Sequence, residues 1–409
     1  MNSPPDIITT ATPREPDPDV TGSAGREATV LQVLPAVGEA GGVERGAVEI
    51  TGAIAGAGGR ALVASAGGAL EHEIKRAGGE HLQLPLASKN PLVMRANARH
   101  LARLIREYGV DIVHARSRAP AWSAYFAARA TGARFVTTFH GTYGTQTWAK
   151  RTYNAVMTRG EKVIAISRFI AGHVHRVYGV PARRIRVIHR GVDLARFDLS
   201  RVSTERVVAL AAACRLPDGV LTIMLPGRLT RWKGHSVFIE AVALLARRDI
   251  CCLIVGSDQG REGYRSELDA LIERRGVSGV VRIIDHCNDM PAAYMLTDLV
   301  VSASTDPEAF GRVVPEAQAL GRPVIASDHG GARETLIPGV TGWLTPPGDA
   351  VALAGAIDRA LKLDDAARRR LAERAIANAR ENFSKDAMCT KTLDVYDEVL
   401  ARGPRPDHR

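Results

Sequence analysis

Cysteine is scarce and scattered in this 409-residue chain. Its five cysteines, Cys214, Cys251, Cys252, Cys287 and Cys389, include no C-x-x-C pair. That excludes a zinc-ribbon pattern and offers no disulfide framework, so a reducing compartment is the simpler reading. Aromatic residues make up only 5% of the chain, and no stacking or groove-reading motif accompanies the net charge of +10. Nucleic acid is therefore not the expected partner. No apolar run reaches the ~20 residues that a membrane-crossing helix needs. Short tandem repeats are absent, which excludes a solenoid. The first 27 residues are rich in proline and acid and lack an apolar core, so they read as a disordered tail and not as a secretory signal. A cytoplasmic location is expected.

What the chain does have is a long alternation of short β-branched runs and amphipathic stretches. "ATVLQVLP", "RALVASAGG", "EHLQLPL", "DIVHARS", "ARFVTTFHG" and "EKVIAISR" read as strands with helical segments between them. The rhythm pauses in a loop-rich stretch from "IHRGVD" to "CRLPDG". It resumes with "LTIMLPGRLT", "CCLIVGSD", "VVRIIDH", "DLVVSAS" and "PVIASDHGG". Strict β-α alternation predicts parallel, doubly wound sheets. The expected organisation is a tail over 1–27, an α/β lobe over 28–200 and a second over 201–383. The two join near Phe197–Arg206, and a final helical segment covers 384–409.

Open parallel sheets bind ligands beyond the carboxyl ends of their strands, so the residues after each strand carry the chemistry. After "LTIMLP", Arg228 and Lys233 flank a turn before an amphipathic helix. A guanidinium fork and an ammonium at such a junction suit a diphosphate, although a solvated charged turn has the same composition. After "DLVVSAS", Glu308 and Glu316 bracket the loop "AFGRVVP", with a helix expected from Arg312 or Val314. Carboxylates there suit the hydroxyls of a ribose or hexose, or a pair working as acid and base on water. Amides freed by Gly311 suit phosphate oxygens. His140 and Gly141 stand at another strand end, and "EAGGVER" supplies Gly41 and Gly42 after the first.

Taken together, "GGVER", "GRLTRWKG", "DMPAAYMLTDLVVSAS", "PEAFGRVVPEAQALGRPVIASDHGGARETL" and "GVTGWLTPPGD" resemble the retaining glycosyltransferases of family four. The likeness runs from about Ala28 to Gly403. The subgroup it resembles most is the bacterial enzymes of lipopolysaccharide-core or surface-polysaccharide synthesis. It implies the GT-B fold, two Rossmann-like lobes facing a central cleft, with the last helix crossing back to the first lobe. It also implies a nucleotide-diphosphate sugar as co-substrate, a glycan or lipid-linked acceptor, and no cofactor or metal. The only D-x-D, Asp17-Pro18-Asp19, lies in the tail. In the family pattern Arg228 and Lys233 hold the donor diphosphate, and Glu316 takes the ribose hydroxyls. Glu308 contacts the donor sugar and His140 sits beside it. Phe310, Gly311 and Arg312 offer backbone amides, His286 to Met290 cradle the base, and Gly41 and Gly42 approach the phosphate. One departure stands out: "VIHRGVD" has His189 and Arg190 where many relatives have proline and asparagine.

Arg95, Arg99, Arg103 and Arg106 recur at steps of four, four and three, which makes one stripe on a helix. With the excess of basic charge, this stripe is a candidate contact for an anionic inner-membrane surface or an acidic lipid-linked acceptor. Two other readings stay open: a nucleotide-sugar epimerase or hydrolase of the same fold, and a two-lobed ligand-binding protein.

Overall fold

The computed structural model describes residues 27–38, 41–144, 147–260, 262–285 and 287–402. The expected tail, its D-x-D and His286 lie outside the described residues. Among the described residues, thirteen strands form two parallel sheets. The first contains β1 (Thr29–Val33), β2 (Arg60–Ser65), β3 (Glu80–Gln83), β4 (Ile112–Ala115), β5 (Arg134–Phe139), β6 (Lys162–Ala165) and β7 (Ile185–Val187), in the order 3-2-1-4-5-6-7. The second contains β8 (Leu221–Pro226), β9 (Ile250–Val255), β10 (Val281–Ile284), β11 (Leu299–Ser302), β12 (Val324–Ser327) and β13 (Trp343–Thr345), in the order 10-9-8-11-12-13. Both are doubly wound, as the β-α alternation predicts.

Helices α1 (Gly42–Gly56), α2 (Glu71–Arg76), α3 (Pro91–Glu107), α4 (Arg118–Thr131), α5 (Trp148–Asn154) and α6 (Arg168–Tyr178) connect the first sheet. Around the second run α7 (Thr204–Ala213), α8 (His235–Leu245), α9 (Glu262–Arg274), α10 (Met290–Met295), α11 (Val313–Ala319), α12 (Ala332–Thr335), α13 (Ala350–Leu361) and α14 (Asp365–Asn382). Local chemistry sets the ends. Asn90 accepts from Leu92 N at 2.9 Å and Pro91 follows it, so α3 starts there. Gly132 and Gly179, both left-handed, stop α4 and α6. Helix α7 lies in the stretch expected to be loop-rich. None of its residues is fully buried, so its apolar periodicity is faint.

The last helix, α15 (Lys385–Leu400), leaves the second lobe and packs on the first. Met388, Val395, Tyr396 and Val399 join Val30, Ile50, Ile54 and Ile164 in one apolar cluster. Tyr396 Oη lies 2.7 Å from Nδ1 of the buried His114, whose Nε2 is 2.7 Å from Thr138 Oγ1. Where the chains cross, Val192 N donates to Phe383 O at 2.7 Å and Lys385 N to Val192 O at 2.8 Å. Gly191 is required there, because a Cβ would stand 2.8 Å from Lys385 N and 3.0 Å from Ser384 O.

Two further ties join the lobes. Phe310, from the loop after β11, buries its ring in the first lobe's core beside Phe383, 5.8 Å between centroids. Glu334 of α12 accepts from the backbone N–H groups of Arg168 and Phe169 at 2.7 Å each and pairs with His189 at 2.9 Å. It thus caps α6 from the other lobe. Burial raises the pKa of Glu334, but His189 and the two amides outweigh that, and the net shift is downward.

Replacing Tyr396 with Phe leaves the buried His114 without one partner. Urea denaturation is expected to show a loss of about 1–2 kcal/mol relative to wild type. An unchanged midpoint and slope would remove this contact from the list of lobe-to-lobe ties.

Candidate active site

In each sheet the strand order reverses beside the first strand, between β1 and β4 and between β8 and β11. Such reversals open a crevice at the carboxyl edge. Here the two crevices face each other across a cavity of about 1370 Å³. Gly42, Arg45 and Glu49 of α1 line one wall, and Arg228, Met290, Arg312 and Glu316 line the other.

Beyond β8 the chain makes a single 3-10 turn, Arg231–Lys233, and enters α8 through Gly234, whose φ is +73°. A Cβ at Gly234 would strike the carbonyl of Ala303 at the end of β11. This close approach brings the two loops together. Lys233 Nζ lies 2.8 Å from Glu308 Oε1, and both side chains are nearly buried. Ser304 and Ser302 hydroxyls donate to the same Glu308 oxygen. Burial raises the pKa of Glu308, but the Lys233 ammonium and the hydroxyl donors outweigh it, and its carboxyl titrates below the usual range. Arg228 is exposed on the cavity wall and has no ion pair among the described residues.

Glu316 stands in the first turn of α11 and is held from two sides. Tyr294 Oη donates to its Oε2 at 3.1 Å, and Arg312 Nε lies 3.1 Å from its Oε1. The Arg312 contact is a close ion pair without hydrogen-bond alignment. Arg312 and Val313 thus begin the helix where expected, but α11 has only seven residues. Its contribution to an anion comes from individual N–H groups, not from a long macrodipole. Gly311, at φ +78°, makes the turn that exposes them. Gly331 N donates to Glu308 O at 2.8 Å, so the "HGG" loop buttresses this turn from behind.

The sequence expectation set all four of Arg228, Lys233, Glu308 and Glu316 around one ligand. All four come from the second lobe. Arg228 and Glu316 face the cavity as separate groups, while Lys233 and Glu308 neutralise each other. The reason is burial: at 13% and 12% side-chain exposure, neither charge is tolerable alone. Phe310 offers only backbone to the site, because its ring is in the first lobe's core. Met290, with Cys287 and Asn288, lines the cavity. Gly41 caps α1 and Gly42 opens it on the opposite wall.

His140 follows β5, and its Nε2 has no hydrogen-bond partner among the described residues. Desolvation, then Arg190, Arg116 and His114, hold its pKa well below the ordinary histidine value, so it is neutral. Arg95, Arg99, Arg103 and Arg106 are all exposed on α3. Arg106 also reaches Ala102 O at 3.4 Å and Ala130 O at 3.2 Å, so it is partly engaged with the end of α4.

Residues 212–382 match the family described as glycosyl transferases group 1, and residues 40–196 match glycosyltransferase family 4. A solved glycosyltransferase from Rickettsia africae is 37% identical, with a TM-score of 0.86, covering 92% of this chain and 100% of that one. The chain belongs to the group 1/family 4 glycosyltransferases. Its two-sheet architecture is GT-B. HepE of Anabaena, solved in complex with UDP and glucose, shares the fold at 24% identity and a TM-score of 0.80, covering 91% of this chain and all of HepE. D-inositol 3-phosphate glycosyltransferase of Salinispora tropica is 33% identical over 60% of this chain and 52% of the relative. This glycosyltransferase spans between 52% and 60% of the length of the first curated relatives it matches.

Two cavity residues carry no motif signal in the sequence. Tyr294 reads as one more apolar residue of "DMPAAYML", and Glu49 lies mid-helix in α1. Only the fold turns them toward the cavity.

The depressed pKa of Glu308 gives a signed prediction. Its ion pair contributes stability in full above the ordinary carboxylate pKa, and that contribution disappears as pH falls through the lowered folded value. Glu308→Gln is therefore expected to be less stable than wild type at neutral pH by roughly 3–5 kcal/mol, because Lys233 is left unpaired. The two denaturation curves should converge in acid. A gap that stays constant down to pH 2 would contradict the pairing.

Proposed function

We propose that this glycosyltransferase moves a sugar, with retention of anomeric configuration, from a nucleoside-diphosphate sugar to a lipid-linked or polysaccharide acceptor of the lipopolysaccharide-core type. The observation that carries the reading is the cavity wall: a guanidinium, Arg228, and a doubly held carboxylate, Glu316, on the two loops that flank the β8–β11 crevice. A carboxylate whose second oxygen is fixed by Tyr294 suits a vicinal diol such as ribose. Arg228 suits the adjoining diphosphate.

The hard step breaks the bond from the anomeric carbon to the phosphate oxygen. The electron pair leaves on the diphosphate, and positive character grows on the sugar ring. Arg228 would neutralise the departing charge, together with the Lys233 protons not engaged by Glu308, and no metal is assigned to that task. Preorganised donors of this kind are worth ~3–4 kcal/mol each where one has been removed from other enzymes. The acceptor hydroxyl forms the new bond on the face the phosphate leaves, and its proton passes to the phosphate oxygen. Neutral His140, poor at holding a proton, would orient the sugar and not act as acid. Enclosure between the lobes would limit hydrolysis.

The acceptor side rests on α3. Arg95 and Arg99 rim a groove of about 770 Å³ floored by Pro91, Met94, Ala98, Trp122 and Phe126. Leu92, next to the lining residue Pro91, is 78% exposed. A basic rim over an apolar floor complements an anionic amphiphile, and we assign an anionic lipid headgroup with its chain to this groove. No helix among the described residues is long and apolar enough to cross a membrane.

Uridine-, guanosine- and adenosine-diphosphate sugars, each with and without acceptor extract, test the donor reading. Glu316→Ala is expected to weaken binding of the preferred donor by about 10- to 100-fold, and to lower the melting temperature because Arg312 and Tyr294 lose their partner. Normal donor affinity in that variant would refute the assignment. Rapid acceptor-free release of sugar by wild type would favour a hydrolase.

Arg95→Glu combined with Arg99→Glu is expected to abolish sedimentation with phosphatidylglycerol vesicles and leave transfer to a soluble acceptor intact. Equal sedimentation of variant and wild type would refute the membrane reading.

A further inference from the structure

Arg190 occupies the place where many relatives have asparagine. It is 4% exposed, and its guanidinium makes no hydrogen bond or ion pair among the described residues, Nη2 being wholly without a partner. It lies flat on the first turn of α1. A Cβ on Gly46 would collide with Nη1 and stand 2.7 Å from Nη2, and a Cβ on Gly42 would stand 3.7 Å from Nη2. The guanidinium fits in this position because residue 46 is glycine, whereas a Cβ at Gly42 would make only ordinary contact with it. The free Nη2 therefore sits beside Gly42, which is exposed on the cavity.

The surroundings are short of negative charge. Arg312 of the second lobe brings its Cδ to 4.0 Å of the same Gly42 Cβ position. The opposing acid is Glu49, partly exposed, with an unpartnered Oε2 and no ion pair to Arg190 within 4.0 Å. Burial pulls the pKa of Arg190 down to about 9, with Glu49 acting against that. Burial likewise raises Glu49. Glu44 already lays its carboxylate over Gly41, the cap of this 15-residue helix.

The backbone holds Arg190 in place. Its neighbour His189 turns the other way, to Glu334 and to the ring of Phe383, 5.5 Å between centroids. Gly191 is locked against Lys385. The cation is thus tied to both lobes at their junction.

We infer that Arg190, with the amides of Gly41 and Gly42, forms an anion subsite on the first-lobe wall, and that it takes the leaving diphosphate of the donor as a third cation beside Arg228 and Lys233. This rests on the donor reading above and adds a residue to it. An unpaired buried guanidinium is costly, and a phosphate oxygen at Nη2 removes that cost while neutralising charge that grows as the glycosidic bond breaks. Supplied from the junction, the cation reaches the phosphate only when the two walls are together, which couples closure to departure of the leaving group.

Calorimetric titration of the full chain tests the inference. The probes are uridine, guanosine and adenosine diphosphates, the matching nucleosides, and inorganic pyrophosphate. For whichever diphosphate wild type binds, Arg190→Gln is expected to weaken binding by ~10- to 100-fold and to leave the nucleoside unchanged. Arg190→Lys should recover part of the loss, and pyrophosphate should follow the diphosphate. Gly46→Ala, which crowds the guanidinium without removing it, should weaken the diphosphate selectively as well. If Arg190→Gln fails to fold by circular dichroism, Gly46→Ala decides alone. Equal diphosphate affinity in wild type and variant, or equal losses for diphosphate and nucleoside, would overturn the subsite and leave the donor reading standing. Failure of wild type to bind any diphosphate would overturn both.

Discussion

Parallel strands deliver every strand-to-helix loop to one edge of a sheet, and in this protein two such edges are held face to face. Everything in the site depends on that constraint. The segments after β1, β2 and β7, with the start of α15, supply one wall, and those after β8, β9, β10 and β11 supply the other. Neither wall is a site alone. The first has glycine amides and buried cations, and the second has exposed Arg228 and the anchored Glu316. Facing them is the task of α15, of the Phe310 ring sunk in the opposite core, and of Glu334 capping α6. These are apolar burial and charge-assisted hydrogen bonds at a junction, so they hold orientation without filling the cavity.

Charge in the cleft is arranged in two ways. Some groups are neutralised internally, as Lys233 is by Glu308 and Arg312 by Glu316. Others are left incomplete, as Arg228 and Arg190 are. Internal pairs preorganise a wall, and incomplete cations give an incoming phosphate something to complete. The proposed donor site, which must take a doubly charged leaving group, draws on both kinds. A wall of free cations alone would repel itself, and a fully paired wall would have nothing to offer.

The strand runs, the two-lobe rhythm and the strand-end placement of Arg228, Lys233, Glu308, Glu316 and His140 were legible because β-α periodicity and turn chemistry are local. Gly234 and Gly311 signalled their turns for the same reason. Helix α7 was not legible, because a helix that buries none of its residues fully leaves a weak apolar pattern. The pairing of Lys233 with Glu308 was not legible either, since 75 residues separate them and two carboxylates were within plausible reach. Phe310 looked like a site residue by position, yet its ring serves the other lobe's core.

The sequence by itself determined the fold class, the loops that carry chemistry and the residue types available for a phosphorylated sugar. Periodicity, capping and backbone conformation act over a few residues and can be read along the chain. Only the tertiary structure decided which charges meet and which stay open. It paired Lys233 with Glu308, set Tyr294 against Glu316, and laid Arg190 on Gly42 and Gly46. Those outcomes turn on ångström-scale distances and on burial between segments far apart in sequence, where the cost of an unpaired charge is set by what surrounds it.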